Sequence, residues 1–236
     1  MKKILITGCS SGFGYALLKD LSLDYYVICI SRRKPNFNKK NIEFYKCDLS
    51  NTKSLVKCLK KIKSKHKYLP YIINNAGIFD ICSLEELSFS KIQKFFKVNS
   101  FSPVLITKKF IPEMKKNNFG RIVNVTSGAP LNCSPKGSLY SSSKAALNVF
   151  TIIAAKENAK YNIKINLFSP GQIKTEMAPQ AKNEPKKSVK YLKILLKKNQ
   201  NLFTGKFLWT KYIIPTSPNL SKINWSKGTA PKKFEI

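Results

Sequence analysis

The sequence lacks any long hydrophobic run. No stretch approaches the roughly 18 consecutive apolar residues that a membrane span needs. The N-terminal apolar stretch ends after three residues, at Thr7–Gly8, and this is too short for the apolar region of a secretory signal peptide. We therefore expect a soluble protein of the cytoplasm.

Cysteine pairs at metal-binding spacing are also missing. The six cysteines, at positions 9, 29, 47, 58, 82 and 133, include no C-x-x-C pair, and several lie in or beside apolar strand-like runs. This pattern favours reduced thiols over a disulfide framework or a zinc site. The single histidine, His66, lies at the end of a lysine-rich helical segment, and we predict no role for it.

Acidic residues are scarce. The chain of 236 residues has 12 Asp and Glu against 43 Lys and Arg, which gives a formal net charge of +31. Such a charge can indicate a nucleic-acid or anionic-membrane partner. The basic residues are spread along the whole chain, however, with extra density at 53–67 and 182–198, and no nucleic-acid motif accompanies them. We therefore expect a solvated basic surface that reflects compositional bias, and no nucleic-acid partner.

Two patterns alternate along the chain. Short β-branched or aromatic runs lie at 2–7, 25–31, 42–47, 71–74, 121–127 and 163–169. Segments between them have helical spacing, as at Leu55, Leu59 and Ile62. This alternation predicts an α/β fold, a doubly wound parallel sheet with helices on both faces that binds ligands at the carboxyl ends of its strands. At this length, residues 1–236 fit a single domain.

The last part of the chain departs from this alternation. Residues 178–203 combine a loop-like start with a lysine-rich amphipathic helix, and we expect this segment to cover the substrate. Its apolar positions should face inward; they are Val189, Leu192, Leu195 and Leu196. Residues 210–236 read as an irregular tail.

The segment TGCSSGFG, at 7–14, joins the first predicted strand to the first predicted helix. Gly8, Gly12 and Gly14 would give the turn, a close approach to a ligand and the packing of the helix on the strand. A helix that begins here offers free N–H groups and the positive end of its dipole to a phosphate. The G-x-x-x-G-x-G spacing therefore favours a pyrophosphate site, although a Gly-Ser-rich segment can also be only a turn.

Six motifs together resemble the smaller type of the short-chain dehydrogenase/reductase family over residues 1–177. They are TGCSSGFG, NNAG at 74–77, VN at 98–99, NVTS at 124–127, YSSSK at 140–144 and SPGQIKTEM at 169–177. The segment TGKFLW at 204–209 is similar to the family's last strand, although the Asp-Gly-Gly that often follows is absent. The resemblance implies a Rossmann-like fold, a nicotinamide cofactor and a small-molecule carbonyl or alcohol substrate.

Tyr140 and Lys144 are four residues apart at the start of a long predicted helix, so both side chains lie on one face. A nearby ammonium lowers the pKa of a phenol from about 10, and Tyr140 could then exchange a proton with a carbonyl or alcohol oxygen. Ser127, at the end of the fifth predicted strand, could hydrogen-bond the same oxygen. A Tyr–Lys pair at this spacing is also common on ordinary helix surfaces.

The resemblance assigns further roles to this group. It implies that Lys144 also holds the nicotinamide ribose, and that Asn99 holds a water that links Lys144 to solvent. From the residues alone, Ser127 could be only a turn residue and Asn99 only a helix N-cap.

The end of the second predicted strand bears on the choice of cofactor. Ser31 stands where an acidic residue would bind the ribose hydroxyls of NAD, and Arg32 and Arg33 follow it. A guanidinium presents a planar fork of donors that suits the 2′-phosphate of NADP. Arginine is scarce in this lysine-rich chain, so we predict NADP(H).

The resemblance implies further cofactor contacts. Asp48, with Leu49 beside it, looks like the acid that binds the adenine amino group, or it is only a turn residue before the next helix. Asn75, Ala76 and Gly77 would line the adenosine side, or their motif would only hold the sheet together. The remaining implied contacts are Ser10, Ser11, Phe13, Pro170, Gly171, Ile173 and Thr175.

Two interpretations of the function remain. The full predicted catalytic set favours an NADP(H)-dependent oxidoreductase, which would act as a reductase because cellular NADPH is mainly reduced. The alternative is a non-catalytic NADP-binding regulatory or interaction protein. The lysines of 182–198 leave open either an anionic substrate or a merely solvated helix face. The resemblance also implies a homodimer or homotetramer that pairs through helices at 100–116 and 140–160.

Overall fold

The computed structural model describes residues 1–198 and 204–216. Within these residues, eight strands form one sheet in the order β3-β2-β1-β4-β5-β6-β7-β8. All neighbouring pairs from β3 to β7 are parallel, and β8 runs antiparallel to β7. The strands are β1 (Lys2–Thr7), β2 (Tyr25–Ser31), β3 (Ile42–Lys46), β4 (Tyr71–Asn74), β5 (Gly120–Val125), β6 (Ile163–Ser169), β7 (Phe207–Trp209) and β8 (Tyr212–Ile214).

Seven α-helices occur in the same described residues. A π-helical segment, Lys97–Phe101, joins the third helix directly to the fourth. The helices are α1 (Gly12–Leu21), α2 (Thr52–His66), α3 (Phe89–Phe96), α4 (Ser102–Lys116), α5 (Ala129–Asn132), α6 (Ser138–Glu157) and α7 (Pro185–Ile194).

The sheet separates two apolar cores. Ile4 and Ile6 of β1 pack into one core with buried residues of α1 and α7. Leu5 packs into the other core with buried residues of α2, α4 and α6. Successive side chains of a strand point to opposite faces, so a strand buried on both faces must be apolar throughout. The predicted doubly wound parallel sheet with helices on both faces is confirmed.

Two predicted boundaries differ from the structure. The fifth strand ends at Val125 instead of residue 127, because Ser127 turns the chain into α5 and accepts a hydrogen bond from the Ala129 N–H at 3.1 Å. The predicted irregular tail is wrong for its first residues, because a tight turn at Thr210, with φ of 51°, returns the chain as β8. Residues 217–236 of that tail lie outside the described residues.

Helix α7 belongs to the core. Val189, Leu192, Leu195 and Leu196 are buried, as the apolar spacing predicts. Lys193 of α7 forms an ion pair with Asp20 of α1, with a distance of 2.7 Å between Nζ and Oδ1. The predicted substrate-covering segment therefore contains a helix fixed on α1, and its residues 199–203 lie outside the described residues.

Candidate active site

The carboxyl ends of the central strands open into one cleft of about 700 Å³. This volume falls in the usual range of small-molecule sites, about 300–1,000 Å³. Every residue predicted as catalytic or cofactor-binding lines the cleft except Asn99. We call the part formed by residues 31–33, 48–50 and Lys94 the β2 end. The α6 end is formed by residues 77–79, Ser127, Ala129, Tyr140, Lys144, 172–173 and 175–178, and Lys174 does not line the cleft.

The glycine loop between β1 and α1 lies between these two ends. Gly8 has φ of +74°, and a Cβ at this position would lie 2.9 Å from Ala76 Cα, so a side chain would not fit. A Cβ on Gly14 would overlap the carbonyl oxygen of Gly8. Gly8 therefore makes the turn and Gly14 the close packing, and the first N–H groups of α1 are left beside the cleft. The ligand contacts of Ser10, Ser11, Gly12 and Phe13 stay predictions.

The NNAG motif holds the sheet together and also lines the cleft. The backbone N–H groups of Asn75 and Ala76 both donate to Thr7 Oγ1 at 3.0 Å, and Asn75 Nδ2 donates to the Thr7 carbonyl at 3.0 Å. Asn74 Nδ2 donates to Asn124 Oδ1 on β5 at 2.7 Å. These bonds fix β1, β4 and β5 relative to one another at the point where the cleft begins.

The two arginines at the β2 end differ in their partners. Arg33 Nη2 lies 3.0 Å from Glu176 Oε2, an ion pair that joins the β2 end to the segment after β6. Arg32 lines the cleft and forms no ion pair with any other described residue. Ser31 Oγ donates to Ser10 Oγ of the glycine loop at 3.2 Å. The β2 end thus presents one guanidinium that is free for a ligand and one that is shared with Glu176.

Asp48 forms a turn and also lines the cleft, and its adenine contact stays a prediction. Its Oδ1 accepts hydrogen bonds from Ser50 N at 2.9 Å and Ser50 Oγ at 2.8 Å, which is a turn arrangement, and the residue also lines the cleft beside Leu49. Burial acts to raise the pKa of Asp48, but the bonds from Ser50 and the charges of Arg32 and Lys94 lower it overall. Asp48 is therefore an anion at neutral pH.

Tyr140 and Lys144 lie together at the α6 end. Lys144 is buried, its Nζ donates to the Val125 carbonyl at 2.9 Å, and burial lowers its pKa to about 8. Burial also raises the pKa of Tyr140, and a hydrogen bond with Ser127 opposes this only in part. The predicted lowering of the Tyr140 pKa by Lys144 is therefore wrong for this structure, because burial outweighs the effects of its neighbours.

Asn99 lies inside the π-helical segment and does not cap α4. Its Oδ1 accepts from Ile78 N at 2.9 Å, and its Nδ2 donates to the Ile78 carbonyl and to Ser143 Oγ, both at 3.0 Å. A Cβ on Gly77 would lie 3.3 Å from Asn99 Oδ1 and 3.4 Å from Lys144 Nζ. Asn99 is therefore packed behind Gly77 and Lys144, and its role as a water ligand stays a prediction. Short π-helical segments often occur at functional sites.

The segment after β6 forms a wall of the cleft. Gly171 has φ of +76° and turns the chain after Pro170, whose carbonyl accepts from Ser188 Oγ at 2.8 Å. A Cβ on Gly12 would lie 3.1 Å from Thr175 Cγ2, so this segment returns to the glycine loop. Within the described chain, the last residue of this segment that lines the cleft is Ala178. The wall therefore precedes the predicted covering segment, 178–203, almost entirely.

The sequence analysis missed several residues that line the cleft, among them Phe79, Lys94, Glu176 and Met177. Phe79 packs edge-on against Tyr140, with ring centroids 4.9 Å apart and planes at 90°. Lys94 carries a positive charge at the β2 end, and Glu176 carries a negative charge on the segment after β6. Met177 lines the cleft beside Glu176. Phe79 follows the NNAG motif by two residues and Glu176 and Met177 lie inside a quoted motif, so proximity to a motif was the available signal. Lys94 resembles the many other surface lysines of the sequence.

Two classes of feature do not occur in residues 1–198 and 204–216. No helix there is both long and apolar enough to cross a membrane. That part of the chain also has no cluster of three or more His, Cys, Asp or Glu side chains suited to a metal ion. All six cysteines are free thiols.

Comparisons with known proteins agree with this geometry. The family model described as short chain dehydrogenase matches residues 2–186. Benzil reductase ((S)-benzoin forming) of Bacillus subtilis (strain 168) is 31% identical over 212 residues, which cover 85% of this chain and 86% of that protein. Several other relatives are longer, and the chain spans 60% or 62% of their length.

Two solved structures share the fold over nearly their whole length. 4-Hydroxyisoleucine dehydrogenase complexed with NADH has a TM-score of 0.83 and 25% identity, and the match covers 89% of this chain and 96% of that one. ElxO with NADP bound has a TM-score of 0.79 and 29% identity over the same shares of both chains. The chain therefore belongs to the short-chain dehydrogenase/reductase family of oxidoreductases.

Proposed function

We propose that the protein is an NADP(H)-dependent reductase of ketones, which oxidises the matching secondary alcohols in reverse, with Tyr140 as the proton donor and acceptor. Family membership supports the broader activity, which is oxidoreduction at CH–OH and C=O groups with a nicotinamide cofactor. One observation carries the proposal: a single cleft joins the glycine loop and a free Arg32 to Ser127, Tyr140 and Lys144.

The residues present fit such a cofactor. The glycine loop leaves no space for side chains at Gly8 and Gly14, so the backbone itself borders the cleft. The start of α1 offers N–H groups and a positive dipole end for a pyrophosphate. Asp48 carries a carboxylate with Oδ2 free of any hydrogen bond to the described residues, and this oxygen suits an adenine amino group. When bound, the nicotinamide supplies or accepts the hydride.

Charge at the β2 end supports NADP(H) over NAD(H). The ribose hydroxyls of NAD(H) are usually bound by a carboxylate, and Ser31 at this position has none. The Ser31 hydroxyl is hydrogen-bonded to Ser10. The guanidinium of Arg32 lies at the cleft without an ion-pair partner among the described residues. A 2′-phosphate would supply such a partner with charge-assisted hydrogen bonds. The solved relatives include both an NADH complex and an NADP complex, so family membership leaves the choice to these residues.

The α6 end supports the proton transfer. A raised pKa keeps the Tyr140 phenol protonated at neutral pH, which is the form that can donate to a carbonyl oxygen. The Ser127 hydroxyl acts to lower the pKa of Tyr140, and it would donate to the same oxygen as negative charge develops there. The buried Lys144 ammonium is the nearby cation that would favour the phenolate after the proton has left. We propose that Asn99 serves by fixing the backbone beside Lys144.

We also propose a homo-oligomer and a cytoplasmic location. Val149 and Ile153 on α6, and Phe101 at the end of the π-helical segment before α4, expose apolar side chains. Helix surfaces of this kind suit pairing with a second copy. Sedimentation of the wild type and of Ile153→Lys tests the pairing, and the variant should sediment as the smaller species. The six free thiols suit a reducing compartment.

The direct test of the cofactor proposal is a fluorescence titration of the purified protein with NADPH and, separately, with NADH. We expect saturable binding of both, with NADPH at least about tenfold tighter. Equal affinities would contradict the role of Arg32. Binding of neither would contradict an enzyme of this kind and would favour a protein that keeps the fold without the cofactor.

A further inference from the structure

We infer that the substrate is uncharged and carries an apolar, preferably aromatic, group beside the reacting carbon, and that Phe79 and Met177 bind this group. This inference rests on the proposed function, because it assumes that the substrate oxygen meets Tyr140. It adds a class of substrate and two specificity-determining residues.

Phe79 stands beside the proposed proton donor. Its ring lines the cleft, is 41% exposed, and meets the Tyr140 ring edge-on at 4.9 Å. The side chain is therefore packed on one side and free on the other. An oxygen that reaches the Tyr140 hydroxyl brings its neighbouring substituent next to this ring. Aromatic groups gain stability from such edge-on or offset contacts beyond the burial of area.

Met177 supplies a second apolar surface from a different loop. It lines the cleft and is 44% exposed, while Ala129 and Ala178 line the same end with small side chains. Methionine is flexible and polarisable, so it adapts to ligands of varied shape and makes favourable contacts with aromatic rings. These side chains would bury an apolar group and give no hydrogen bond to a polar one.

Cations in the cleft are confined to the β2 end, apart from Lys144. Arg32, Arg33 and Lys94 belong to the β2 end, where Arg32 and Lys94 act on Asp48. Lys144 donates to the Val125 carbonyl and serves the proposed proton transfer. The described lining of the α6 end therefore offers no further cation to a carboxylate or phosphate on the substrate. An anionic group buried there without a partner would bind unfavourably.

The lysines of α7 add no cation to the α6 end. Lys186, Lys187 and Lys190 are exposed, and none of them lines the cleft. Lys193 is paired with Asp20 of α1. Of the two interpretations that the sequence leaves open for this segment, the positions of its described lysines favour a solvated helix face over an anion-binding lid.

Two ketones that differ in one charge test the inference. Methyl 4-acetylbenzoate and 4-acetylbenzoate present the same ketone on the same ring, and only the second carries a carboxylate. With wild-type protein and NADPH, we expect kcat/KM for the ester to exceed that for the acid by at least about tenfold, because the acid meets no cation at the α6 end. An equal or higher value for the acid would overturn the inference.

A binding measurement keeps the test independent of turnover. The same two ketones are titrated into the Tyr140→Phe variant saturated with NADPH, and NADPH fluorescence reports the ternary complex. Tighter binding of the ester supports the inference even if the wild type reduces neither ketone. Absence of turnover would count against the proposed chemistry and not against the inference. Equal binding, tighter binding of the acid, or no binding of the ester would overturn the inference while leaving the proposed chemistry to its own test.

Variants of the two named residues locate the effect. Phe79→Ala should raise KM for the ester at least about fivefold and leave NADPH affinity unchanged, since it removes only the substrate-side contact. Phe89→Ala is the matched control, because Phe89 is 73% exposed and lies outside the cleft. Met177→Lys should shift the preference towards 4-acetylbenzoate. Equal effects of Phe79→Ala and Phe89→Ala, or an unchanged preference in Met177→Lys, would contradict the assignment of these residues.

Discussion

The two ends of the cleft carry charge in opposite ways. At the β2 end, the side chain of Arg33 is 65% exposed and its partner Glu176, on the segment after β6, is 67% exposed, so water and salt screen their interaction. At the α6 end, the Lys144 ammonium is buried against a backbone carbonyl. An exposed guanidinium is free to bind a ligand at little cost, whereas a buried ammonium is held at a cost in stability. If the proposed function is right, we expect the β2 end to set cofactor affinity and the α6 end to set the rate of chemistry.

The largest effect should follow from Tyr140→Phe. The variant keeps the ring that packs on Phe79 but removes the proton donor, so kcat should fall by about a thousandfold. NADPH affinity should stay within about threefold of the wild type, because the phenol hydroxyl adds little to cofactor binding compared with the β2 end. Tyr161→Phe, which lies outside the cleft, is the control and should be fully active. Normal turnover in Tyr140→Phe would overturn the catalytic assignment.

Replacing the buried cation should raise stability and change its pH dependence. Burial lowers the pKa of Lys144 from 10.5 to about 8, so at neutral pH the folded protein bears the cost of a charged buried amine. Between these two values the folded state has lost this proton and the unfolded state keeps it, so the stability of the wild type rises with pH through that window.

Lys144→Met has no such group, and its stability should not show this rise. We expect the variant to be inactive. Its free energy of unfolding at neutral pH should exceed that of the wild type by about 2 kcal/mol, reduced by the contribution of the lost hydrogen bond to Val125. Urea unfolding of both proteins at neutral pH and near pH 10 checks this, and the difference between them should shrink at the higher pH. A difference that is independent of pH would mean that Lys144 is not the buried charge described here.

At the β2 end, Arg32→Ala should weaken NADPH binding by about tenfold and leave NADH binding nearly unchanged. The loss corresponds to one charge-assisted hydrogen-bonding group. Arg33→Ala should have a smaller effect, because part of the Arg33 charge is already balanced by Glu176. Fluorescence titration with both cofactors measures this. Equal losses of NADPH and NADH affinity in Arg32→Ala would show that Arg32 stabilises the loop and does not bind a 2′-phosphate.

The smallest effect should come from Glu176→Gln. The substitution breaks the ion pair with Arg33 and removes a negative charge near the proposed phosphate position, so NADPH affinity should increase by less than about threefold. Melting temperature should not change measurably. A decrease in NADPH affinity would mean instead that the ion pair holds the cleft in its binding shape.

Much of this structure could be predicted from local patterns. The first six strands, β1 to β6, agree with the predicted segments to within two residues, and the predicted helical spacing at Leu55, Leu59 and Ile62 falls in α2. Buried strands are rich in apolar residues, and a surface helix is apolar at regular spacing. The predicted site residues meet in one cleft because carboxyl ends of neighbouring parallel strands share one edge of the sheet.

The remainder depends on contacts between distant parts of the chain. The π-helical segment holds Asn99 against Ile78 and Ser143, and the local sequence VNSF does not predict a π-helix. β8 is three residues long and exists through its pairing with β7. The raised pKa of Tyr140 reflects the burial of the site, which spacing along a helix does not report. The ion pair between Arg33 and Glu176 joins residues 143 positions apart.

On the proposed function, cofactor affinity and chemical rate are set at opposite ends of the cleft. The single-turnover rate of ketone reduction by Arg32→Ala and by Tyr140→Phe, each saturated with NADPH, tests this division. We expect Arg32→Ala to react within about threefold of the wild-type rate once saturated, and Tyr140→Phe to be slower by about a thousandfold. A saturated Arg32→Ala that is as slow as Tyr140→Phe would contradict this division between the two ends.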